Sequence, residues 1–377
     1  MIKAIFFLLL LSISTSSLGQ NNTIKIYDLA DGKADQARDC NVDPSGLYVN
    51  TYYFDGSRGV SGLLSLQPDL DTLYLSPGDA GFTIDDNMTT DGRRVVVAGE
   101  EANSIIKVIV RDSDSGAIIN ERVIVPEQPQ TLFAKGISVL DSQYVLSFVG
   151  AHDTSMIRSF HTMSLYYLDK QSLSIDTIID IYSSPNGSMH EIKPYGDNGI
   201  VALVDTTFIP DWWMSGPNTS WVSRQLLTFD GHYQQRELYR VDEIRWGEQW
   251  GNCLVTLPNG NVVVTVAYSE VGQNNLECIN PDGEVVWDFL FPTEWYTLIA
   301  LTNLSLADNG DILGSGLVNR SVPEIGILFR LSPDGELRWI RQYEMPAPER
   351  WMDISFADVN QLDDDRLVVV GHVTVTE

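Results

Sequence analysis

A turn that recurs about every 50 residues constrains this chain more than any other feature. Residues 254–290 read LVTLPNGNVVVTVAYSEVGQNNLECINPDGEVVWDFL, and residues 304–340 read LSLADNGDILGSGLVNRSVPEIGILFRLSPDGELRWI. Each runs strand, Asn-Gly turn, β-branched strand, loop, strand, Pro-Asp-Gly turn, strand. Asn-Gly and Asp-Gly accept the positive φ that tight hairpins demand. The first turn of the unit returns as DPSG ending at Gly46, TDG at Gly92, DS at Ser142, DNG at Gly199, PNG at Gly260, DNG at Gly310 and DDD at Asp365. Short Val, Ile and Leu runs lie between the turns, with no helical periodicity. Seven such turns predict an all-β chain, a seven-bladed β-propeller of four-stranded antiparallel blades.

The chain ends add to this. After Asp365 only RLVVVGHVTVTE follows, which is two strands into the last repeat. Near the other end, TIKIYDL (residues 23–29) resembles a fourth strand such as LRWIRQY. An N-terminal strand is therefore expected to complete the last blade and cover its edge. The third strand of that blade is unaccounted for, and truncation of a longer protein at its C-terminus is the favoured reading. Residues 1–19 read as a signal peptide: Lys3, an apolar run over residues 4–13, then STSSLG. The run is too short to span a bilayer. Cleavage after Gly19 would leave residues 20–377 as a single propeller domain, secreted or held at the outer cell surface, monomeric and without membrane insertion.

Charge narrows the partners. With 24 basic against 51 acidic residues the net charge is −27, which repels phosphate backbones and argues against nucleic acid and anionic membrane. Cys40, Cys253 and Cys278 are too few for a disulfide framework, and no C-x-x-C or haem-attachment motif occurs. No cofactor or metal is expected. RDSDSG (residues 111–116) begins like a calcium loop but lacks a ligand position before its glycine, so it reads as a hairpin turn. No nucleophile elbow, zincin motif or phosphate-binding glycine loop is present.

The apolar strand, the Gly-containing turn and the D-G-x-x-x-W spacing that ends at Trp287 and Trp339 resemble exported bacterial β-propellers of the quinoprotein-like and WD40-like kind, with signal peptides of the type common in Bacteroidetes. The resemblance implies a fold and no particular reaction. In such proteins a surface-sorting module often follows the propeller.

In a blade with strands one to four, the one–two and three–four hairpins share one face. The two–three loops and the links between blades share the other, and irregular loops are where function concentrates. Trp287 and Trp339 belong to the repeat and are expected to pack between blades. Trp212, Trp213 and Trp221 fall in an insertion between strands two and three of the fourth repeat. Arg245, Trp246, Glu248 and Trp250 lie in the next link, Trp295 in the one after, and Arg350 with Trp351 in the last. Indole rings beside carboxylates and guanidinium groups suit sugar rings or protein partners. His152, Asp153, His161 and His190 fall on the same side and form a second, polar candidate, with Glu191 and Asp205 near in sequence. The expected function is a binding or scaffold propeller holding a glycan or an extracellular protein on its Trp-rich loop face. The alternative is an extracellular propeller enzyme acting on a polysaccharide or a sulfated or aryl substrate.

Overall fold

In a computed structural model the chain is an all-β β-propeller. The residues described are 5–14, 23–27, 35–43, 46–54, 59–67, 72–80, 88–92, 94–101, 105–125, 131–152, 160–185, 187–208, 221–245, 253–268, 273–291, 299–318, 325–344, 351–363 and 366–376.

Two N-terminal strands come first, β1 (Ile5–Ser14) and β2 (Thr23–Tyr27). Blade one holds β3 (Asp35–Asp43), β4 (Gly46–Phe54), β5 (Gly59–Leu66) and β6 (Thr72–Ala80). Blade two holds β7 (Met88–Asp91), β8 (Arg94–Glu101), β9 (Ile105–Asp112) and β10 (Ile118–Ile124). Blade three holds β11 (Thr131–Val139), β12 (Gln143–His152), β13 (Phe160–Asp169) and β14 (Ile175–Pro185). Blade four holds β15 (Ser188–Tyr195), β16 (Gly199–Phe208), β17 (Trp221–Phe229) and β18 (Gln235–Arg245). Blade five holds β19 (Leu254–Thr256), β20 (Val262–Tyr268), β21 (Gln273–Ile279) and β22 (Val285–Leu290). Blade six holds β23 (Ile299–Leu306), β24 (Ile312–Val318), β25 (Ile325–Leu331) and β26 (Leu337–Tyr343). The chain closes with β27 (Trp351–Asp363) and β28 (Arg366–Thr376).

The seven-bladed expectation is corrected here. Six blades are built from four consecutive antiparallel strands, not seven. The last repeat supplies only β27 and β28, and its sheet is composite, in the order β2-β1-β28-β27. Completion by one N-terminal strand is corrected too, because two strands do it. The strand that fills the third position is β1, the apolar run at the start of the chain, paired along its length with β28 from Ile5↔Val375 to Ser14↔Arg366. The physical reason lies at the edge of β28, whose backbone N–H and C=O groups need partners.

The turns behave as their composition demands. Gly260 and Gly310 sit at φ 86° and 83°, the left-handed region that only glycine enters without strain. The turn of blade four differs from expectation. There Gly196 and Asn198 take the positive φ, while a Cβ on Gly199 would lie 2.5 Å from the carbonyl oxygen of Phe229. The segment at 111–116 is indeed the β9–β10 hairpin turn, with Asp112 Oδ1 accepting from the Ser115 N–H at 2.9 Å.

The chain divides into two compact units, Met1–Val97 with Ile109–Ile119 and Pro292–Glu377, and Ala98–Val108 with Asn120–Phe291. In the second, the apolar faces of β12, β13, β15, β16 and β17 meet around Val145, Leu165, Ile192, Ala202 and Phe229. A neighbouring cluster joins Leu203 and Leu226 to Leu254, Val262 and Val264 of blade five. In the first unit, Leu328, Ile354, Phe356 and Val369 form a cluster with Trp339 against it, so that this tryptophan packs between neighbouring sheets as its place in the repeat predicts.

A second repeated device was not read from the sequence. The first strand carries a β-bulge in five of the sheets, skipping Arg38, Lys135, His190, Thr302 and Ala357. In three of them the next residue is a carboxylate that accepts a backbone N–H of a neighbouring first strand. Asp358 accepts from Cys40 at 2.8 Å, Asp39 from Met88 at 3.3 Å and Glu191 from Leu254 at 2.6 Å. Bulges re-aim side chains, and here they turn acids toward the adjoining sheet.

Candidate functional site

The loop-face end of blade four carries a buried ion pair to which a third strand adds a histidine. β16 and β17 stay in register out to Phe208↔Trp221, and three residues inside that end Asp205 stands opposite Arg224. Both are buried, at 3% and 2% exposure. The Arg224 guanidinium grips the carboxylate with two parallel bonds, Nε to Oδ1 and Nη2 to Oδ2, each 2.9 Å. Its remaining arm, Nη1, donates to the carbonyl of Thr265 in blade five at 3.0 Å. Planar two-point pairing of this kind is what arginine does and lysine cannot. Burial would raise the Asp205 carboxyl, but the charges of Arg224 and His190 outweigh it and hold the group well below the usual carboxylate range.

His190 is the bulge residue of β15 and comes to the same carboxylate. Its Nε2 lies 2.8 Å from Asp205 Oδ2, and its side chain keeps 15% exposure. Because Asp205 is ionised, Nε2 carries the proton in the neutral ring and Nδ1 is left as an acceptor. The next residue, Glu191, has its own work: Oε2 holds the Leu254 N–H, and Oε1 pairs with Lys193 at 2.5 Å. Cys253 lies buried beside this group. Burial, with the charge of Glu191 added, pushes its thiol well up, so it is no nucleophile.

The arrangement sets a limit on chemistry. In an Asp–His pair built for proton transfer, the carboxylate spends its charge on the imidazole. Here Arg224 already neutralises that charge through two bonds. Asp205 therefore orients the ring and holds its Nε2 edge. An oriented, partly exposed ring with one edge anchored is suited to holding a ligand.

The other predicted residues stand as follows. Asp153, Trp212, Trp213, Trp246, Glu248, Trp250, Trp295 and Arg350 lie outside the described residues. Trp221 opens β17 directly opposite Arg245, which closes β18. His152 closes β12, and His161 near the start of β13 pairs with Ala151. Trp351 opens β27 opposite Thr376. Register thus places Trp221, Arg245, His152, His161 and His190 at the strand ends that carry two–three loops and inter-blade links. Of the polar candidates, the described contacts join His190 to Asp205. Arg224 was missed by sequence reading, though a signal existed: Asp205 and Arg224 bracket the insertion at equal distance from its two stems. Among the described residues no group of three or more His, Cys, Asp or Glu is placed to hold a metal ion. Cys40, Cys253 and Cys278 are buried and form no disulfide.

Comparison with known proteins leaves family open and fold clear. No family model matches, and no curated protein matches significantly. Among solved structures the chain is similar to the Dos1 propeller, at 12% identity and a TM-score of 0.53, covering 90% of this chain and 78% of that one. It is similar to an S511A mutant of puromycin hydrolase complexed with PGG, at 14% identity and a TM-score of 0.54. That match covers 92% of this chain but 52% of the hydrolase, so the chain spans about half of that enzyme's length. A europium-containing methanol dehydrogenase matches at 9% identity with a TM-score of 0.46, covering 84% of this chain and 75% of that chain. For the first two, at such identities, the likeness is one of fold, and the fold is the β-propeller.

Proposed function

We propose that this chain is a secreted or cell-surface binding propeller that holds a glycan or an extracellular protein on the loop face of blade four. The observation that supports this reading is the locked stem beneath the Trp-bearing insertion. Segment 209–220, with Trp212 and Trp213, begins and ends at the paired residues Phe208 and Trp221, and the Asp205–Arg224 ion pair clamps the two stems just inside. A stem that rigid lowers the ordering cost a recognition loop pays on binding. Indole rings supply the flat apolar faces on which sugar C–H groups or protein side chains stack. The strongly negative charge of the chain suits a neutral ligand or a basic protein better than an acidic one.

A glycan array probed with the wild type and with Trp212→Ala/Trp213→Ala tests the glycan form. Binding by the wild type that the double variant loses would support it. A wild type that binds no glycan, or a double variant that binds equally well, would remove it. In the former case a pull-down from the extracellular fraction, compared between the same two proteins, tests the protein form. The reading as a hydrolase or lyase rests on no described pair of acid and base, since the one His–carboxylate pair has its acid neutralised by Arg224.

A further inference from the structure

We infer that His190 is the polar specificity contact of this binding face, accepting a hydrogen bond through Nδ1 from a hydroxyl of the bound ligand. The inference rests on the glycan form of the proposed function. Three observations carry it. First, His190 sits on a bulge, so its side chain leaves the alternation that points its neighbours Met189 and Ile192 into the core. Second, the ring is held from behind: Asp205 receives Nε2 at 2.8 Å and is itself fixed by Arg224, which is anchored to the Thr265 carbonyl. Three residues from three strands, with a fourth strand as anchor, fix the plane of one imidazole, more than a structural histidine needs. Third, the ring is still partly exposed, and no partner for Nδ1 lies among the described residues.

Neighbouring charge sharpens the ligand class. The groups around His190 are Asp205 on β16, Arg224 on β17, Glu191 and Lys193 on its own strand, and Lys135 at the equivalent bulge of β11, the strand that packs against β15. Glu191 is engaged with Lys193 and the Leu254 N–H, and Asp205 with Arg224. These acids are already paired, so among the described residues named here none is left over to attract a cationic ligand. A hydroxyl donor from an uncharged sugar is the match.

The experiment follows from the two nitrogens. His190→Gln keeps a side-chain N–H for Asp205 in place of Nε2–H and deletes the Nδ1 acceptor, whereas His190→Phe deletes both. Neutral hexasaccharides of glucose, mannose and galactose serve as probes, with calorimetric titration of the one that the wild type binds. His190→Gln should bind about three- to ten-fold more weakly, the worth of one hydrogen bond. Equal affinity of wild type and His190→Gln would overturn the role of His190 and leave the glycan reading standing. If no hexasaccharide binds the wild type, both fall together. His190→Phe should match His190→Gln in binding; retained binding in His190→Phe would also overturn the inference.

Discussion

The pair Asp205–Arg224 shows how much hangs on single residues in a fold made of repeats. Two charges buried in the β16–β17 hairpin cost desolvation on folding, and their mutual bonds offset it. Removing one partner strands the other. Arg224→Met should therefore cost roughly 3–5 kcal/mol of unfolding free energy in urea titration, while Asp205→Leu/Arg224→Met should recover much of that loss. The pH dependence carries a definite sign. A carboxyl whose folded value lies below its unfolded one, about 3.9, contributes stability that is complete above that value and lost as pH falls toward the folded one. Asp205 is such a group, so the gap in stability between wild type and Asp205→Asn should narrow as pH falls below about 4. Denaturation curves at four pH values check this. At this scale the sequence was only half legible. His190 and Asp205 stood out as rare ionisable residues in apolar strands. Arg224, in WVSRQLLTF, had nothing local to mark it, because its partner lies across an insertion and a strand pairing.

At the scale of the element, the legible signal was the turn and the silent one was the bulge. Asn-Gly and Asp-Gly announce themselves because few residue types tolerate positive φ. A bulge in the first strand leaves only a faint mark, an acid or amide set among apolar residues shortly before each turn, as in ARDC, MHEI, LTNL and FADV. The bulge matters because it lets a carboxylate reach the next sheet. Asp358 is buried and holds the Cys40 N–H, so Asp358→Ala should leave that amide without its acceptor and cost about 1–3 kcal/mol. Asp358→Asn, which keeps a carbonyl oxygen there, should cost less. Amide exchange at Cys40 reports the difference directly, faster in Asp358→Ala than in Asp358→Asn. The bulge also explains a glycine that has no turn to serve. Gly371 faces Phe356 at the bulge of β27, and a Cβ there would run into the Ser355 carbonyl. Backbone atoms yield little, so Gly371→Ala should destabilise by roughly 1–3 kcal/mol, measured by thermal unfolding.

For the whole molecule, the repeat announced a propeller and misjudged how its last sheet is made. Counting turns cannot tell a blade of four consecutive strands from a pair of strands that borrows the rest, since both leave the same turn at the same spacing. The difference lies in long-range pairing, where strand length and hydrophobicity decide and no local residue speaks. The run over residues 5–14 has the apolar content of a signal peptide and also the length and composition of a buried strand, and those two readings are not separable by pattern. In the folded chain, β1 is the only described partner of β2 and the outer partner of β28. A chain that begins at Gln20 should therefore lose the ladder along β28 and leave β2 without its neighbour, while the six contiguous blades keep every strand. Proteins beginning at Met1 and at Gln20 should differ by hydrogen exchange in β2, β27 and β28 and agree in β15–β18, because protection follows local pairing and packing. The shorter protein should also be the more prone to associate, since an open β28 edge invites another strand. Equal protection of β28 in the two proteins would mean that β1 contributes nothing to that sheet. Matching binding of the glycan-array hits by both would show that the loop face of blade four is independent of how the last sheet is completed.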